Sequence, residues 1–117
     1  MRLILLTLSV LLLTSATTAE PKVNTIKIKT SSQCNDCKER IEEALAFERG
    51  VKSSDLEVET QIVTVTYKTA KTTPEKIRKA ISKVGYDADD VPADEKAYKK
   101  LPACCKKPDD PDHRSHH

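Results

Sequence analysis

The chain has 117 residues, 38% of them hydrophobic, and 20 Lys and Arg stand against 18 Asp and Glu for a net charge of +2. That length suits one small domain with appendages. The near balance of charge, with one Phe, three Tyr and no Trp, leaves neither a basic field nor an aromatic stacking platform, and so argues against nucleic acid or an anionic membrane surface as the main partner.

Residues 1–19 read as an export signal. Met1-Arg2 supplies a short positive start, Leu3 to Leu13 an apolar run, and Thr17-Thr18-Ala19 small residues ahead of Glu20. The apolar run falls short of the roughly 20 residues that cross a bilayer, so no membrane span is expected after cleavage. The expected location is outside the cytoplasm, periplasmic or extracellular. What remains after residue 19 carries 19 basic and 18 acidic side chains.

A folded domain is expected over 22–91. Val23 to Thr30 ends in apolar/charged alternation, the pattern of a half-buried strand. After the polar Ser31-Ser32-Gln33 comes Cys34-Asn35-Asp36-Cys37, and from Cys37 to Phe47 a helical stripe of Ile41, Ala44 and Leu45 runs to a stop at Gly50. Leu56 to Glu59 and Val63 to Tyr67 alternate with period two around Thr60-Gln61, a short hairpin. Thr73 and Pro74 open a second helix as N-cap and first residue; Ile77, Ala80, Ile81 and Val84 form its apolar stripe and Gly85 ends it. Tyr86 to Val91 reads as a short edge strand. The order β-α-β-β-α-β predicts an α+β, ferredoxin-like sandwich with two helices on a four-stranded antiparallel sheet. Beyond Pro92 a helix is expected over Ala93 to Lys100. Residues 92–117 as a whole, rich in proline and charge, are expected to be a largely flexible extension.

Chemistry concentrates in the cysteines. Cys34 falls on a loop and Cys37 in the first helical turn, where unpaired N–H groups and the helix dipole favour a thiolate. Two thiolates so close suit one soft cation. Cys104-Cys105 and His113, His116 and His117 are candidate accessory ligands on the extension. The alternative for Cys34/Cys37 is a thiol–disulfide redox module, although no Trp or Pro lies in or beside the motif. No acid–base pair, nucleophile constellation or phosphate loop is apparent, so no enzymatic activity is expected.

Cys34-Asn35-Asp36-Cys37 after the first strand, Gly50-Val51, Val63-Thr64-Val65-Thr66-Tyr67 and the Ile77 to Gly85-Tyr86 corner together resemble the heavy-metal-associated domain family over about residues 23–91. The resemblance implies Cu(I) as the favoured cargo, with Hg(II) or Zn(II) as competitors, and a metal transporter or a homologous metal-binding domain as recipient. It also gives Tyr86 a supporting position beside the metal loop, next to its reading as a core aromatic. Two features depart from the family pattern. Ser32-Gln33 stand where a Gly-Met-Thr is usual, and the Cys/His extension is additional.

Overall fold

The computed structural model describes residues 22–113; the export signal expected at 1–19 lies outside them, as do His116 and His117. Strand β1 (Val23–Lys29), helix α1 (Asn35–Ala46), strands β2 (Val51–Glu57) and β3 (Ile62–Lys68) and helix α2 (Pro74–Lys83) follow in order. A short helix α3 (Glu95–Lys99) and one turn of 3-10 helix (Ala103–Cys105) come after them. The sheet is antiparallel in the order β1-β3-β2. Alternation in β3 turns Val63, Val65 and Tyr67 inward, and the register sets Ile28 opposite Val63 and Leu56 opposite Val63 on its other side. This face packs against Ile41 and Leu45 of α1 and Ile77 and Ile81 of α2, all fully buried.

Local chemistry explains the ends. Thr73 accepts a hydrogen bond from the Lys76 backbone N–H at 3.2 Å, so α2 starts where its N-cap and Pro74 predict. Gly85 follows the last turn at φ +101°, and a Cβ there would lie 3.0 Å from the Ala97 carbonyl carbon and the Tyr98 nitrogen. Backbone of α3 therefore rests directly on that glycine.

Three expectations change. The fourth strand is reduced to isolated bridges, Thr30 with Ala88 and Ala88 with Val91. Asp89 takes φ +51°, Ala88 and Val91 exchange backbone hydrogen bonds, and the chain turns back before Pro92 instead of running along β1. Strand β2 starts at Val51, five residues before the alternation that marked it, because its first half is a largely exposed edge with a bulge near Val51. The extension, finally, packs on the domain within the described residues. Leu101, Cys104 and Cys105 are buried in the core cluster, and the expected helix over Ala93 to Lys100 is the shorter Glu95–Lys99, capped by Asp94.

Candidate metal centre

The loop from Thr30 to Cys34 is held by polar contacts. Ser32 is fully buried, and its hydroxyl lies within hydrogen-bonding distance of the Thr30 hydroxyl oxygen, at 3.0 Å. The β2–β3 turn supports this loop from below. Gln61, at φ +63°, accepts from the Thr30 N–H and hydroxyl, both at 2.8 Å, and its Nε2 donates to the Ser32 carbonyl at 2.6 Å. Ser31 accepts from the Asp87 N–H at 2.9 Å, which ties the loop to the segment after α2.

Cys34 sits at the N-cap of α1 in extended conformation and is partly exposed, whereas Cys37 is fully buried within the first turn. Their sulfurs are 3.5 Å apart and not bonded. From the extension, the Cys105 sulfur lies 3.9 Å from that of Cys34. The sulfurs of Cys34, Cys104 and Cys105 all fall within 4.8 Å of one another. The Cys104 thiol points to Asp36, 3.7 Å from its Oδ2.

Opposing influences act on these thiols. Partial burial pushes Cys34 up, but the Cys37 backbone N–H and thiol, the Asp36 N–H and the Cys105 thiol together hold it below the ordinary 9.0. Burial raises Cys105, and the sulfurs of Cys37 and Cys34 add to the rise. Cys104 is raised by burial and then by the charge of Cys34. Of these three thiols Cys34 is the more readily ionised, while burial favours the neutral form of Cys104 and Cys105. Lys38 does not help: it is committed to Glu42 at 2.8 Å, Asp55 at 3.0 Å and the Leu56 carbonyl at 2.7 Å, towards β2.

Tyr86 is fully buried, and its hydroxyl has no hydrogen-bond partner. Burial, and then the neighbouring Cys37 and Cys105 sulfurs, push its ionisation far up. A buried hydroxyl left unpaired against sulfur is a donor poised for a thiolate. His113, by contrast, is turned away: its Nδ1 lies 2.6 Å from the Lys106 carbonyl, and it is not in the sulfur cluster.

The extension is held in place by contacts that its sequence pattern does not signal. The Tyr98 hydroxyl donates to Asp110 at 2.7 Å and accepts from the Lys107 N–H at 3.0 Å. The Lys107 ammonium meets Asp87 at 2.6 Å. A cavity of about 530 Å³ lies along this seam, lined by Asp87, Pro92, Tyr98, Lys107 and Asp110 among others, and none of the cysteines reaches it.

A two-cysteine helix N-terminus on this sandwich fits a soft-metal-binding class of protein, and the heavy-metal-associated domain profile matches residues 33–87. The chain belongs to that family. A structure described as the CopZ metallochaperone is 30% identical, covering 56% of this chain and 98% of its own, with a TM-score of 0.54. Oxidised MerP from Ralstonia metallidurans CH34 is 28% identical over 58% of this chain and 96% of its own, TM-score 0.56. The apo copper chaperone of Enterococcus hirae is 30% identical over 54% and 94%, TM-score 0.51. No curated protein sequence matches. The family and the cysteine cluster together support heavy-metal binding. Among the described residues no helix is long and apolar enough to cross a membrane.

Proposed function

We propose that this protein is an exported carrier or scavenger of a soft cation, Cu(I) first and Hg(II) or Zn(II) as competitors. Cys34 and Cys37 are its primary ligands, Cys104 and Cys105 its accessory ligands, and Tyr86 a hydroxyl donor to bound sulfur. The observation that carries the reading is the gathering of the Cys34, Cys104 and Cys105 sulfurs within 4.8 Å of one another, with Cys37 beside Cys34 at 3.5 Å. Thiolates in this number select thiophilic ions over hard ones. Handing over would proceed by ligand exchange, an incoming thiolate replacing one sulfur at a time so that no bare ion is released. The chemistry fits a transporter or a homologous two-cysteine domain as recipient. Export rests on the sequence of residues 1–19.

A lowered Cys34 beside Cys37 also fits thiol–disulfide exchange, and one paired experiment separates the two. Fully reduced protein is competed for Cu(I), Zn(II) and Hg(II) against graded chelators, and the same preparation is assayed for insulin reduction. The carrier reading expects Cu(I) affinity well above that of a free dithiol and negligible turnover. Efficient turnover with dithiol-like affinity would replace it with the redox reading.

A further inference from the structure

Two overlapping ligand sets meet at Cys34. One is the pair on α1, Cys34 and Cys37, and the other is Cys34 with Cys104 and Cys105 from the extension. Their spacings differ in kind. With metal–sulfur bonds of ~2.3 Å, a linear ion holds its sulfurs roughly 4.6 Å apart and a trigonal one roughly 4.0 Å. Cys34 and Cys37, at 3.5 Å, must spread by about 1 Å to grip a linear ion. Cys34 and Cys105, at 3.9 Å, already stand at trigonal spacing, and Cys104 completes the third corner within 4.8 Å. The extension's sulfurs are enclosed as well, Cys104 at 6% and Cys105 at 1% exposure beside the fully buried Cys37, and the partly exposed Cys34 is common to both sets.

The contacts that bring the extension here owe nothing to a metal. Leu101 is buried in the core, Tyr98 holds Asp110 and the Lys107 N–H, Lys107 holds Asp87, and α3 backbone seats on Gly85. These contacts can hold the extension in place without an ion, with its two sulfurs beside the pair.

We propose, resting on the metal-binding reading above, that the extension is a lid carrying a closed three-thiolate seat, Cys34/Cys104/Cys105, which takes the ion from the Cys34/Cys37 pair with Cys34 as the shared ligand. In the shift the metal–Cys37 bond breaks as bonds to Cys104 and Cys105 form. Each incoming thiol gives its proton to water, the sulfur left behind takes one up, and the oxidation state of the ion does not change. Tyr86, beside both Cys37 and Cys105 with an unpaired hydroxyl, can donate to whichever of the two is a thiolate. An ion in this seat is reached by an outside thiolate only after the lid lifts, so the extension sets the rate of release.

The test is X-ray absorption at the copper edge on the full chain, reduced and loaded with one equivalent of Cu(I). Three sulfurs are expected in the unaltered chain and in Cys37→Ala, and two in Cys104→Ala/Cys105→Ala. Extraction of Cu(I) by a dithiol should be about tenfold or more faster in that double variant and in Leu101→Ala, which keeps every sulfur but loosens the lid. Two sulfurs in the unaltered chain, or extraction equally fast in all variants, overturns the lid while leaving the two-cysteine carrier intact. Failure of the unaltered chain to bind Cu(I) at all refutes the carrier reading instead.

Discussion

Leu101 is the aliphatic side chain that enters the core from the segment after α3, alongside Cys104 and Cys105, and replacing it with Ala measures how firmly the extension is docked. Leu101 is 7% exposed. The change deletes three carbons from a nearly buried site, about 2–3 kcal/mol by transfer, near the low end for large-to-small core changes because a rim position can partly collapse. If that loss falls on docking alone, the undocked population rises roughly 30- to 160-fold, up to the limit at which the extension is always open. The assay is the alkylation rate of Cys104 and Cys105 in reduced, metal-free protein, read peptide by peptide. Opening of the extension by itself should leave amide protection at Ile41 and Val65 unchanged. Unaltered alkylation would show that Leu101 does not hold the extension. A matching fall in protection at Ile41 and Val65 would show that the extension does not open independently of the domain.

Tyr98→Phe removes both the donor to Asp110 and the acceptor for the Lys107 N–H. It should weaken docking by about 1–2 kcal/mol, seen as faster alkylation of the same two thiols. Gly85→Ala forces a Cβ to 3.0 Å from α3 backbone at φ +101°, and should lower stability by about 1–3 kcal/mol in urea unfolding. Metal affinity should fall with acidity as Cys34, held below 9.0, is finally protonated. The extension should respond at the other end of the scale. Below 9.0 the Cys104 and Cys105 thiols are neutral whether docked or free. Above it the free thiols ionise while the docked ones, raised by burial, do not, so docking weakens as pH climbs. Proteolysis of metal-free protein near Lys106 should accelerate across that range; a flat rate would contradict the burial assigned to these thiols.

The parts of the fold legible in the sequence are those that local chemistry decides. Val63 to Tyr67 alternate because one face of β3 is core, and Thr73-Pro74 start α2 because capping and ring geometry act within one turn. Lys52 to Asp55 hid the first half of β2, since an exposed edge imposes no alternation. Asp89 and Pro92 carried the information that ends the fourth strand, but a turn at φ +51° in an Asp is not compelled by its neighbours. The pair Cys34/Cys37 was legible from its place between strand and helix. The proximity of Cys105 to Cys34, 71 positions apart, was not, because composition in the extension reports proline and charge while docking depends on Leu101, Tyr98 and two thiols. Gln61 under the cysteine loop is hidden for the same reason: its role exists only after the β2–β3 turn is folded against Thr30 and Ser32.

Cys34 belongs to both sulfur sets, so the most direct measurement is the Cu(I) affinity of reduced Cys34→Ser beside the unaltered chain, by chelator competition. Loss of a shared ligand should cost more than the 10–100-fold that supporting groups are worth, with circular dichroism unchanged. Affinity within a factor of about two of the unaltered chain, a difference under roughly 0.5 kcal/mol, would contradict a thiolate centre built on Cys34.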